Sequence, residues 1–206
     1  MRIPNLPNSL TLVRIFLVPL LVVVLLTKFE GHLILGIRKE LIGAAIFAVA
    51  SLTDWADGYF ARRRQQITIV GQMIDPIADK LLTSAAFISL VQMELAPAWI
   101  VAVIIGREFA ITGLRSIAFA RGVTIPASRL GKLKMIAEVV AILALILGRD
   151  RLRQASARGF YALGQVALWA VLVIAVVSAV DYYRRFNRLI LKTAAVGGQP
   201  TTPSAP

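Results

Sequence analysis

The chain has 206 residues, 58% of them hydrophobic, with a mean hydropathy of +0.76, a length for one domain and a composition typical of integral membrane proteins rather than soluble ones. Its formal net charge is +12, yet no aromatic-interleaved basic patch points to nucleic acid, so the basic residues are read as topology signals and contacts to anionic headgroups. With no cysteine and a single histidine, His32, the chain cannot build a disulfide framework and is poorly equipped for a zinc or iron–sulfur site.

Residues 1–9 form a polar, proline-marked entry with no expected signal-peptide cleavage, and Asn8-Ser9 can cap the helix that follows. Six apolar segments come next, with expected spans Leu10–Leu26, Leu41–Phe60, Met73–Gln92, Pro97–Ala120, Gly131–Leu147 and Phe160–Tyr182. The first is short for a hydrocarbon core needing about 20 residues and contains Arg14 and Pro19. A charged connector, residues 27–40, follows it, and a basic loop is expected from Arg62 to Val70. The expected fold is therefore an all-α integral membrane protein of six transmembrane helices, with one domain over residues 1–195 and a disordered polar tail over 196–206.

Six spans put both termini on one side of the membrane. Twelve lysines and arginines fall on the terminal side and seven on the other, so both termini are expected in the cytoplasm, although the fifth loop places Arg149, Arg151, Arg153 and Arg158 outside. Arg14, Lys80, Arg107, Arg115, Glu108 and Glu138 lie in or at the ends of spans, where charges face partners or cavities rather than lipid. Arg107, Glu108 and Arg115 share one side of the fourth span; they can form a Glu108–Arg115 packing pair or, with Lys132 and Lys134, an anion pocket.

One stretch concentrates chemistry. Asp54 and Asp57 stand three residues apart, and Asp75 and Asp79 stand four apart. If each pair is helical, its members share a face, and two such faces together make an all-oxygen cluster suited to Mg²⁺ or Mn²⁺. Arg62 can grip a phosphate through its planar fork. Gly58 follows Asp57 directly, and Gly71, one turn before Asp75, leaves room for a ligand against the backbone. This combination suits phosphoryl transfer near the cytoplasmic face. A divalent-cation channel or transporter with an aspartate filter is the alternative from another class.

The pattern D-x2-D-G-x2-A-R-x8-G-x3-D-x3-D, matched at all eight specified positions, resembles the signature of the CDP-alcohol phosphotransferases. The resemblance implies a six-helix membrane enzyme, usually a homodimer, that transfers a substituted phosphate from a CDP-linked donor to an alcohol and releases CMP. It implies that Asp54, Asp57, Asp75 and Asp79 hold two divalent ions, that Asp79 is also the general base, and that Gly58, Arg62, Thr68 and Gly71 contact or clear the donor nucleotide. Asn8 and Thr11 fall in a stretch similar to the family's donor-contacting N-terminal segment. Pro7 to Arg14, Gly106-Arg107-Glu108 with Leu114-Arg115, and Gly131 to Lys134 look like the family's phosphatidylglycerophosphate synthases. That branch uses CDP-diacylglycerol and glycerol 3-phosphate, so Arg107, Arg115, Lys132 and Lys134 would bind the acceptor phosphate. The alternative within the family is the same chemistry with another acceptor, such as inositol phosphate. The implied location is the inner membrane, multi-pass, among membrane lipids and with the site facing the cytoplasm.

Overall fold

The computed structural model describes residues 6–27, 33–34, 37–64, 69–120, 129–150 and 155–197, and side-chain surroundings over 13–27, 37–53, 80–118, 133–150, 155–184 and 187. Thr68 and the tail beyond 197 lie outside them. The order of elements is α1 (Leu6–Leu26), β1 (Leu33–Ile34), β2 (Ile37–Arg38), α2 (Lys39–Arg64), α3 (Ile69–Gln92), α4 (Ala98–Ala120), α5 (Arg129–Leu147) and α6 (Ala155–Gly197). Six helices thus fall in order on the six apolar segments. The first connector contains an antiparallel two-residue pairing, Leu33 with Arg38 and Ile34 with Ile37, that the charged composition of the stretch does not announce.

Several expected boundaries move outward. α1 already includes Asn8 and Ser9, which are helical residues rather than caps. α2 continues through Arg64 and α3 starts at Ile69, so Arg62 to Arg64 and Ile69 to Val70 of the expected loop are helical, and residues 65–68 lie outside the described residues. Arginine is a good helix former, and no glycine or proline interrupts the run from Tyr59 to Arg64. α6 runs well past Tyr182, spanning 43 residues or about 64 Å, because its basic end lacks breakers until Gly197.

α1 packs on α2 and α3, α2 also packs on α5, and α6 joins α4 to α5, the α5–α6 pair being the most extensive. The core draws Leu21 and Leu25, Phe47, Phe87 and Leu90, Ile100, Ile142, and Leu168 from all six helices. The outer faces are apolar as well: Phe16 is 75% exposed, Val166 69% and Leu52 64%. Helices apolar on both faces suit a lipid surround, since water would penalise so much exposed hydrocarbon. Among the described residues one helix, Ala155–Arg184, is long and apolar enough to cross a membrane, and Val13–Leu26 and Lys80–Gln92 are shorter apolar stretches.

The helix ends away from the aspartate-bearing stretch are tied by polar groups. Buried Lys39 donates to Thr27 O at 2.8 Å and Leu25 O at 3.5 Å, putting a cation on the carbonyl end of α1. Its own burial, then the nearby Arg149, lower its pKa, with Glu40 opposing them. Arg38 lies 3.5 Å from Asp150, and Arg149 lies 3.5 Å from Glu40, joining the first connector to the fifth. α3 ends in a Schellman turn: Leu95 N donates to Leu90 O and Glu94 N to Val91 O, with Glu94 at φ 58°. Gln165 on α6 caps that turn by donating to Leu95 O at 2.7 Å, and Trp99 and Trp169 meet edge to face at 5.7 Å nearby.

Close approach of α5 to α6 needs two glycines. A Cβ at Gly148 would lie 2.5 Å from Tyr161 N, and one at Gly164 would lie 2.9 Å from Leu145 N. Backbone cannot retreat as a side-chain tip can, so Gly148→Ala or Gly164→Ala should each cost about 1–3 kcal/mol, read as a lower unfolding midpoint in detergent. Gly159 on exposed α6 has nothing within 4 Å of its Cβ position, so Gly159→Ala should instead be neutral or stabilise by about 0.5–1 kcal/mol.

Candidate active site

α2 carries Asp54, Asp57, Gly58 and Arg62; α3 carries Gly71, Asp75 and Asp79. Both aspartate pairs are therefore helical. A spacing of three on α2 and four on α3 puts each pair on one face of its own helix. The two helices are consecutive and contact each other. The side chains of these seven residues, and those of Asn8, Thr11 and Lys132, lie outside the described surroundings, as does Thr68 altogether. The donor set is all carboxylate, which fits a hard divalent cation.

An open apolar groove of about 390 Å³ runs beside this stretch, lined by Ser51 and Leu52 of α2, Thr83 of α3, and Ile136, Glu138 and Leu143 of α5. Ser51 lies one turn before Asp54, and Thr83 one turn after Asp79. The groove thus lies about one helical turn from the aspartate-bearing segments of both α2 and α3.

The expected cationic pocket takes a particular form. Lys134 is buried at 2% exposure, donates to Glu108 Oε1 at 2.7 Å, and is also paired with Glu138 one turn along α5. Arg107 pairs with the same Glu108 oxygen and donates to Ser178 Oγ on α6 at 2.6 Å. Two cations and two carboxylates so form a charge-neutral network linking α4, α5 and α6. Glu108 takes Arg107 and Lys134 as partners, not the Arg115 that the shared helix side suggested. Arg115 sits two turns further on, exposed, with its guanidinium beside the Tyr182 phenol. Of the four expected phosphate ligands, the structure brings Arg107 and Lys134 together and leaves Arg115 open.

Glu138 and Ser178 belong to this network without having been assigned a role from sequence. Glu138 had a signal, an acid four residues after Lys134 in an apolar helix. Ser178 had none, because its partner is 71 positions away in the chain.

Breaking a buried pair from one side strands the remaining charge, at a cost of about 3–5 kcal/mol. Lys134→Met should therefore lower the unfolding midpoint strongly, and adding Glu138→Gln should recover part of the loss by removing one stranded carboxylate. Exposed Arg115→Ala should change stability by no more than about 0.5 kcal/mol. Chemical unfolding of the three purified variants in detergent makes the comparison.

Comparison with known proteins places the chain. The family model for CDP-alcohol phosphatidyltransferase matches residues 4–177. A Bacillus subtilis CDP-diacylglycerol–glycerol-3-phosphate 3-phosphatidyltransferase is 44% identical over 195 residues, covering 92% of this chain and 98% of that protein. A Rickettsia typhi protein of the same description is 36% identical over 183 residues, covering 87% and 96%. A probable phosphatidylglycerophosphate synthase of Mycobacterium tuberculosis is 36% identical over 187 residues, covering 91% and 84%. With aspartate pairs on two adjoining helices and a match over most of its length, this chain belongs to the CDP-alcohol phosphatidyltransferase family.

Proposed function

We infer that this protein is a membrane phosphatidyltransferase that moves the phosphatidyl group of CDP-diacylglycerol to glycerol 3-phosphate, giving phosphatidylglycerophosphate and CMP. The observation that carries the reading is the pair of consecutive helices, each with two aspartates on one face, beside an apolar groove that opens at the bundle surface. The names of the Bacillus and Rickettsia relatives support the donor and acceptor.

In this reading the six helices all cross the inner membrane, with both termini and the aspartates on the cytoplasmic side, where cytidine nucleotides are found. Arg149 of the fifth loop has a use that topology does not require of it, since it pairs with Glu40, and the adjacent Asp150 pairs with Arg38. A homodimer follows from the family resemblance, and the exposed apolar faces are compatible with it.

Asp54, Asp57, Asp75 and Asp79 would hold two Mg²⁺ or Mn²⁺ ions, which supply charge neutralisation for the diphosphate. Gly58 and Gly71 leave space for the nucleotide, Arg62 holds a phosphate oxygen, and Asn8, Thr11 and Thr68 contact the donor. The groove beside Ser51 and Thr83 receives donor hydrocarbon. Asp79 accepts the proton of the acceptor's primary hydroxyl. The freed oxygen forms a bond to the phosphorus that bears the lipid, the diphosphate P–O bond breaks, and CMP departs.

The neutral network refines the acceptor pocket. Lys134 and Arg107 are already compensated by Glu108 and Glu138, so the charge that first attracts an acceptor phosphate is assigned to exposed Arg115, with Lys132 kept as a candidate from its place in the sequence. Arg107 and Lys134 form the rigid wall of that pocket.

Purified protein with CDP-diacylglycerol and a panel of alcohols, read by CMP release, tests the reading: glycerol 3-phosphate should react well above free glycerol or inositol phosphate. Release of no CMP would point to the transporter class. Arg115→Ala should raise KM for glycerol 3-phosphate roughly tenfold to a hundredfold, the equivalent of one charge-assisted contact, with KM for CDP-diacylglycerol little changed.

Asp79→Asn keeps size but removes basicity. Turnover should fall about 10²–10⁴-fold and stay low when Mg²⁺ is titrated to excess. Recovery to near wild-type turnover at high Mg²⁺ would make Asp79 a ligand only.

A further inference from the structure

Arg14 is, with Lys39, the most deeply buried cation among the described residues. It sits inside α1 at 1% exposure, among apolar neighbours such as Leu17, Val18 and Leu21 along the same helix. A guanidinium cannot be neutralised by losing its proton, so a buried arginine persists only where an opposite charge compensates it.

The acids able to do so can be narrowed by elimination. α1 packs against α2 and α3. The carboxylates on those two helices are Glu40, Asp54, Asp57, Asp75 and Asp79. Glu40 sits at the far end of α2 with Arg38 and Arg149. Glu108 and Glu138 are held by Lys134, and Asp150 by Arg38, all off the α1 face. On the helices against which α1 packs, only the four aspartates are left.

Helix register leads to the same group. α1 and α2 run antiparallel, with Lys39 bonded to Leu25 O and Thr27 O, and Gly43 against Leu25 and Val24. Counting eleven residues back from Leu25 reaches Arg14, and eleven forward from Gly43 reaches Asp54. At 1.5 Å per residue both positions lie about 16 Å along the pair, at one level.

We propose that Arg14 is the resident counter-charge of the aspartate-bearing helices, a positioning residue that offsets part of their negative charge before any divalent cation binds. This rests on the reading of the four aspartates as metal ligands. Arg14 then has two opposed effects. It stabilises the metal-free protein, and it repels an incoming cation, so its removal should weaken the apo fold yet tighten metal binding.

Thermal unfolding of the purified full-length protein in detergent, with EDTA and across a Mg²⁺ titration, tests this. Wild type should be stabilised by Mg²⁺. Arg14→Gln should lose much more stability in EDTA than at saturating Mg²⁺, and its half-saturating Mg²⁺ concentration should fall on the order of fivefold or more, taking even the bulk-water limit of the Coulomb repulsion that the arginine exerts on the cation. Arg14→Lys should stay near wild type in both. Equal loss for Arg14→Gln with and without Mg²⁺, or a raised half-saturation point, means a packing role and overturns the proposal. If Arg14→Gln does not accumulate, charge-retaining Arg14→Lys carries the test: a loss in EDTA that Mg²⁺ does not reduce overturns the proposal equally. A wild-type protein indifferent to Mg²⁺ would overturn the metal reading itself, and this inference with it.

Discussion

Charge in an apolar bundle has to be compensated where it stands, and that constraint shapes this protein more than any single packing contact. A buried ion costs several kcal/mol unless a partner and hydrogen bonds meet it. Arg107, Glu108, Lys134 and Glu138 meet the requirement among themselves, drawing in Ser178 from α6. The same rule makes four aspartates within twenty-six residues hard to explain as ornament. Either cations balance them or the bundle would have to expel them.

The two charged regions differ in kind. The α4–α5–α6 network is neutral and closed, so it orders three helices and presents a fixed wall. The α2–α3 stretch instead brings four aspartates onto two consecutive helices, a donor set that suits a hard divalent cation. Arg115, exposed beside Tyr182, stands outside both. The network therefore offers compensated, fixed charge, while Arg115 offers an exposed cation.

The opposite end of the molecule explains how the helices keep their positions. Lys39 seals the carbonyl end of α1, Gln165 holds the turn after α3, and Arg38 and Arg149 bridge two connectors. Gly148 and Gly164 then let α5 lie against the backbone of α6. Anchoring at that end sets the axial register along α1 and α2, and register determines which charges share a level further down. Arg14 and Asp54 are level because Gly43 is seated on Leu25.

Much of this was legible in the residues themselves. Six apolar runs, the aspartate spacing and the family signature are local properties: helix periodicity alone puts residues three or four apart on one face, whatever surrounds them. Boundaries were less legible, because Arg62 to Arg64 are as good in a helix as in a basic loop, and α2 in fact continues through Arg64. Charge partners were hidden altogether. Glu108 has Arg107, Arg115 and Lys134 within reach of a plausible pairing, and helix spacing favoured Arg115. The structure instead joins it to Arg107 and Lys134, 26 positions apart in the second case, since the approach of α5 to α4 decides which cation arrives. The sequence by itself determined which chemical groups the protein owns and how they are spaced along each helix. The tertiary structure decided which of those groups neutralise one another and which stay open, because electrostatic pairing depends on distance in space rather than separation along the chain.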